Sequence, residues 1–460
     1  MPTVIGVIFF CCGVYCFLSK DDSLLGLLIV AAAFQAASAI NISERGIQPY
    51  YVVAVFVIAR ALINWVLGIR LNKSMPQGRW LLLFGVIGVA SAFILPVIFA
   101  GTPVYDPKIG IDDGLIFRPP LKFGFGNITQ AAFLACHVAT AYSVLAIDFS
   151  SVKARKAYIF AFYVVALIIA AQSVCQVAGV EFPHSLIRNN PGYSLQSKED
   201  QLSGTRNPGT FSEPSGVGAF LALYCVGFLA EYLAGKGRNV NMIASLLATG
   251  LVAASGSLVT IGIFVLVLLV RYFPLRLPWF LNVQRTKRLL WITFVLVAPL
   301  TIALVSSSGY RETLTAYTVS KGDSLSFVDR TAADLYALQL LRQTHWIGVG
   351  LGSNRASSLI ATLASNMGIV GLLAFGVYYF RLFYNLPGEY AWLKWAAFAL
   401  LLNMCVAGPD ITSPTLWVPM LLAVQFTSDR MRVRRKMNAS NQVLSVLSAD
   451  SGHLEGSKLS

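Results

Sequence analysis

Charge is what this chain has least of. Asp, Glu, Lys and Arg together make up 12% of its 460 residues, against roughly 25% in soluble globular domains, and that scarcity excludes an ordinary soluble fold. Histidine is scarce as well, at four residues. The seven cysteines, Cys11, Cys12, Cys16, Cys136, Cys175, Cys225 and Cys405, all fall inside or at the ends of apolar runs. The loops therefore carry neither metal-ligand spacing nor a disulfide scaffold, and the cysteines read as small packing residues. No long heptad pattern is present, which argues against a coiled-coil partner protein. The first apolar run is preceded by no Lys or Arg and is followed directly by a second, so it reads as a retained helix rather than a removable signal peptide.

What remains is mostly apolar: 56% of the residues are hydrophobic. The runs are Thr3–Leu18, Leu24–Ile42, Tyr50–Leu71, Trp80–Ala100, Asn127–Ile147, Tyr158–Ala178, Val217–Leu233, Asn241–Ala254, Ser257–Val270, Leu289–Ser306, Ser358–Phe380, Leu393–Val406 and Leu416–Phe426. Most approach the roughly 20 residues that cross a hydrocarbon core as a helix, which predicts an all-α integral membrane protein with about 13 spans. Strands of a membrane barrel alternate, and these runs are uniformly apolar, so a barrel is excluded. Small residues at Ser255, Gly256 and Ser257 are expected to close a tight helical hairpin.

The formal net charge of +14 is a topology signal. Lys73 and Arg79, then Lys153, Arg155 and Lys156, then Lys236 and Arg238, then Arg271, Arg276, Arg285, Lys287 and Arg288 fall in alternate loops, and Arg430, Arg432, Arg434, Arg435 and Lys436 begin the tail. Short basic loops stay cytoplasmic. This assigns the C-terminus to the cytoplasm and the N-terminus to the outer side. Scatter over short loops, rather than a basic face on one fold, argues against nucleic acid as a partner. The domain spans 1–437, and the Ser-rich segment 438–460 reads as a disordered cytoplasmic tail, its basic start resting on anionic lipid.

Three longer segments, 102–126, 180–215 and 307–357, fall on the outer side, the last two being the larger. Loops of that size usually carry function. The third holds a helical stretch near Ala332–Arg342 with Leu335, Leu338 and Leu341 at helical spacing, expected to lie along the membrane surface. Two patches within these segments stand out. One is Arg206-Asn207-Pro208-Gly209-Thr210-Phe211-Ser212-Glu213-Pro214-Ser215 at the entry to a span. The other runs from Asp329-Arg330 through Gly348-Val349-Gly350-Leu351-Gly352-Ser353-Asn354 to Gly368-Ile369-Val370-Gly371.

On these patches the chain resembles the O-antigen ligase and Wzy-type polysaccharide polymerase superfamily of bacterial inner-membrane proteins. The run Gly352–Ser358 is similar to its exopolysaccharide polymerase branch. The resemblance implies an inverting, metal-independent glycosyltransferase without a cofactor, acting at the outer, periplasmic face. Its substrate would be an undecaprenyl-pyrophosphate-linked oligosaccharide, with membrane lipids, a chain-length regulator and export machinery as partners. A polymerase lengthens the glycan; a ligase moves it to lipid A core. Many members carry His-Asn ahead of the Gly-x-x-Gly pair, whereas this chain has Ser357-Ser358 there, a departure that favours the polymerase.

The chemistry so implied sets requirements that residues can meet. A leaving pyrophosphate suits the permanent charge and bidentate fork of arginine, so Arg206, Arg330 and Arg355 are the candidate grips, with Arg311 and Asn354 as further substrate-binding residues. The acceptor hydroxyl needs a base, for which Glu213 and His345 are the candidates. Glu213 lies where a helix N-terminus would hold it ionised; against the catalytic reading stand an ion pair with Arg206 or a cap for Glu213, and a plain surface site beside Trp346 for His345. Arg60, inside an apolar run, reads chiefly as a snorkelling or interhelical residue with Asn64 one turn on. A flippase of lipid-linked oligosaccharide is the rival class, but transporters favour internal repeats and ionisable groups at the midplane, and no repeat is visible.

Overall fold

The structure is a computed structural model of the chain. It describes residues 1–19, 21–42, 45–69, 75–105, 118–147, 149–193, 208–234, 240–248 (except 242 and 246), 325–408 and 410–428. Arg206, Arg311, the runs Ser257–Val270 and Leu289–Ser306, the hairpin at 255–257 and the tail 438–460 lie outside them.

Helix dominates. The described helices are α1 (Val4–Leu18), α2 (Asp21–Ala31), α3 (Pro49–Val66), α4 (Gly78–Ile98), α5 (Phe125–Ser143), α6 (Ser151–Val177), the single turn α7 (His184–Ile187), α8 (Pro214–Leu233), α9 (Leu325–Gln343), α10 (Leu359–Tyr384) and α11 (Ala391–Ala407), followed by α12 over 414–428. Among the described residues, six helices are long and apolar enough to cross a membrane: α3, α4, α5 with its 3-10 extension, α6, α8 and α10. The chain is a helical, membrane-embedded protein. It is not purely helical, since Ile40–Ile42 (β1) and Arg45–Ile47 (β2) pair antiparallel in a small hairpin.

That hairpin corrects the expected span Leu24–Ile42. Helix α2 stops at Ala31, and the apolar residues beyond it are buried yet irregular. Their backbone groups find partners elsewhere, as buried groups must. Ala36 N donates to Thr210 O at 2.9 Å, Asn190 N to Ala36 O at 3.1 Å, and Ser38 N to Asn189 Oδ1 at 2.7 Å, while Thr210 Oγ1 donates to Ala33 O. Such bonds draw 32–42, 45–48, 188–193 and 208–213 to one end of the bundle, and Asn127 Nδ2, donating to Leu351 O at 2.9 Å, brings 348–354 there too.

Within a bilayer, helices associate through close packing rather than water exclusion, and small residues permit it. In α8, Gly227 lets α11 approach until a Cβ there would lie 3.5 Å from Ala396 Cβ. At the opposite end, Arg155 of α6 forks onto Glu231 of α8, its Nε 3.0 Å from Oε1. Arg60 Nη1 donates to Phe17 O at 3.3 Å and Asn64 Nδ2 to Ala146 O at 2.9 Å, so both join helix ends together.

The amphipathic stretch is longer than expected and is turned differently. In α9, Leu335 and Leu338 point outward while Leu341 is buried with Ala333, Tyr336, Ala337 and Leu340. The packed face brings Ala333, Tyr336 and Leu340 onto Val104, Tyr105 and Leu121.

Candidate functional site

The glycine series is first a packing device. Gly348, Gly350 and Gly352 all take positive φ (90°, 103° and 83°), open to glycine without steric cost, and alternate with buried Val349 and Leu351. A Cβ on Gly350 would lie 2.6 Å from Pro96 Cδ, and one on Gly352 would lie 2.8 Å from Gly126 O. The loop is therefore pressed onto α4 and α5 by backbone. Val349 N and Gly350 N donate to Ser365 O and Asn366 O, each at 2.8 Å. Helix α10 kinks at Gly368 (φ 68°), and there Ile369 N turns to Trp346 O at 3.0 Å.

This loop delivers Asn354 and Arg355. Asn354 is buried, its Oδ1 accepting from Tyr105 N at 3.1 Å and its Nδ2 donating to Ser365 Oγ at 3.1 Å. Those bonds give its side chain a role in holding the loop. Arg355 is anchored by its own N–H on Tyr105 O at 2.9 Å and stays half-buried. Its charge acts on two groups of other segments at the same end of the bundle, Asp410 and Tyr193.

Asp410 is the residue that sequence reasoning missed. It stands between α11 and α12, where Gly408 follows one apolar helix and Pro414 opens the next. Its Oδ1 accepts from Thr412 N at 2.8 Å, the local pattern by which Asp shapes a turn, and lies 2.7 Å from Thr412 Oγ1. Gln130 Oε1 of α5 is 3.1 Å from the same hydroxyl. Burial pushes the Asp410 carboxyl above the ordinary carboxylate range, against the Thr412 bonds and Arg355, which pull it down. Tyr193 completes the group: Gln48 Nε2 donates to its oxygen at 2.6 Å, and burial, with Asp410 beside it, raises its phenol so that it remains a proton donor. The signal in the sequence was a lone carboxylate in the nine-residue gap between the apolar runs Leu393–Val406 and Leu416–Phe426.

The remaining candidates divide. Glu213 is the N-cap residue of α8, half-buried, accepting from Ser215 Oγ at 3.1 Å. Gln35, whose Nε2 donates to Ser413 Oγ at 3.2 Å, also flanks Gly216 in the first turn of α8, so Glu213 borders the Asp410 turn through one intervening side chain. Close by, Arg188 is buried and donates to Ser212 O at 3.1 Å; burial lowers its pKa. His345 is exposed in a left-handed turn with Trp346 (φ 51° and 68°). The hydrogen bonds of the Asp410 cluster do not reach it among the described residues. Arg330 is exposed on α9. No group of three or more His, Cys, Asp and Glu residues suited to a metal occurs among the described residues.

Neither a family model nor a curated protein matches this chain.

Proposed function

We propose that the protein joins undecaprenyl-pyrophosphate-linked repeat units into exopolysaccharide or O-antigen at the outer face of the bacterial inner membrane. The observation that carries this reading is that Gln130 joins the Arg355 loop to the Asp410 turn: its Cγ would lie 3.1 Å from a Cβ on Gly352, and its Oε1 is 3.1 Å from the Thr412 hydroxyl that bonds Asp410, so that the Arg355 charge reaches Asp410 and Tyr193. A cation for a leaving pyrophosphate, on the loop that prompted the family resemblance, and a carboxylate able to take a proton, on the turn after α11, share that end of the bundle.

The reaction is a single inverting displacement. The acceptor hydroxyl oxygen bonds the anomeric carbon as the bond from that carbon to the pyrophosphate oxygen breaks. The hydroxyl proton passes to Asp410, whose raised pKa suits a base better than an ordinary carboxylate's; Glu213 borders the same region, and His345 stands apart. Charge left on undecaprenyl pyrophosphate falls to Arg355, with Arg206 and Arg330 as the further cations. Removing one such stabilising group costs on the order of 100-fold in turnover. Lipid meets the outward Leu335 and Leu338 of α9.

The test is the size and membrane face of the undecaprenyl-linked glycan in cells lacking the protein. Single repeat units on the outer face are the expected result. Full-length lipid-linked polymer there would indicate a ligase instead, and single units held on the inner face a flippase.

A further inference from the structure

We propose that His137 and Tyr51 are positioning residues for Asp410, acting through the main chain of Thr412; the inference rests on the reading of Asp410 as the proton acceptor. His137 lies in α5 with no exposed surface, an expensive place for a polar ring. Its Nε2 is 2.9 Å from Thr412 O, and Tyr51 Oη donates to the same oxygen at 2.8 Å. Its Nδ1 is 3.1 Å from Tyr50 Oη. A proton on Nε2, within reach of both Thr412 O and Tyr51 Oη at 3.1 Å, and a Tyr50 hydroxyl turned toward Nδ1 satisfy both nitrogens of a neutral ring.

The ring is held flat against Trp417 at 4.6 Å and 7°, and Trp417 Nε1 donates to Ile411 O at 2.8 Å. Gln35 fixes Ser413 Oγ and Gln130 sits at Thr412 Oγ1. A short connection between two helices does not need this. A buried carbonyl is satisfied by one donor, yet Thr412 O receives two, and side chains from α3, α5, α12 and the segment after α2 converge on the three residues that follow Asp410. Thr412 in turn sets the carboxylate through its N–H and hydroxyl. A displacement of about 1 Å at a reacting group costs about 100-fold, so the clamp has a catalytic consequence without touching substrate.

The experiment uses the full-length protein in liposomes and, as substrate, the undecaprenyl-pyrophosphate-linked oligosaccharide extracted from cells lacking it. Tyr51→Phe combined with His137→Leu removes both donors to Thr412 O. Turnover per folded molecule should fall about 100-fold with KM within about twofold. His137→Gln, whose amide reaches the Nε2 position, should recover to within about tenfold. Added to Asp410→Asn, the paired change should lower turnover no further. If the pair does not insert, Tyr51→Phe and His137→Gln alone still decide, by whether kcat moves without KM. Unchanged kcat per folded molecule, or a rise in KM alone, overturns the positioning role while an inactive Asp410→Asn leaves the base assignment standing. Full activity of Asp410→Asn removes the underlying reading instead.

Discussion

Asn366 holds Asn354 by both of its main-chain polar groups: Asn366 Oδ1 accepts from Asn354 N at 2.9 Å and Asn366 Nδ2 donates to Asn354 O at 2.8 Å. The same Oδ1 accepts from Ser353 N at 3.1 Å. One amide from α10 thus satisfies three buried main-chain groups immediately before Arg355. Replacing it with an apolar residue of similar size leaves those groups unpaired, at about 1–3 kcal/mol for each orphaned group. Asn366→Leu should therefore lower the unfolding midpoint in detergent by several degrees and reduce activity in proportion to folded protein. An unchanged midpoint would show that the loop is held by its glycine contacts alone.

Those contacts make a second prediction. Gly350 takes φ 103° and a Cβ there would meet Pro96 Cδ at 2.6 Å and Ser91 O at 2.8 Å. Gly376, in α10, has nothing within 4 Å of the same construction. Gly350→Ala should destabilise by more than the ~1 kcal/mol that separates Gly from Ala in a helix, whereas Gly376→Ala should be neutral or stabilising by about that amount. Thermal unfolding of both variants, with equal midpoints as the contrary result, checks this.

The contrast between α4 and the segment after α2 shows what was legible in the sequence. Trp80–Ala100 is apolar and long, and it forms the helix Gly78–Ile98. Ala32-Ala33-Phe34-Gln35-Ala36-Ala37-Ser38 is nearly as apolar, and it is irregular, because Thr210, Asn189 and Asn190 supply backbone partners from more than 150 residues away. Local pattern does not contain those partners. The glycine motif was visible as a motif, but its grip on α4, α5 and α10 is a matter of which backbones it meets. Asp410 was hidden for the same reason: its significance comes from Arg355 and Tyr193, which are remote in sequence. Glu213 was placed correctly at a helix mouth, since Pro214 at the first helical position is a local signal.

Metal dependence is a separate test. The chemistry assigned above uses Arg355 for charge and Asp410 for the proton. Polymerisation by the purified protein should therefore be unchanged by EDTA. Loss of activity with chelator, restored by a divalent cation, would require a different source of charge stabilisation.

The sharpest prediction concerns Asp410 and pH. Its carboxyl is raised in the folded protein, chiefly by burial, so the folded state holds that proton more tightly than the unfolded chain does. Stability from this group accordingly falls as pH rises from the ordinary carboxylate range through the raised value. Activity should run the other way, because the base works only after losing the proton, and turnover should climb through that same window. Asp410→Asn keeps the Oδ1 acceptor for Thr412 and removes the titration. The variant should be inactive yet more stable than wild type above the window, and the two stability curves should converge below it. Arg355 lowers the Asp410 value, so Arg355→Gln should move the rising limb of activity to higher pH as well as reduce its height. Parallel stability curves for Asp410→Asn and wild type across this range, together with an unmoved limb in Arg355→Gln, would show that Asp410 is not the titrating base.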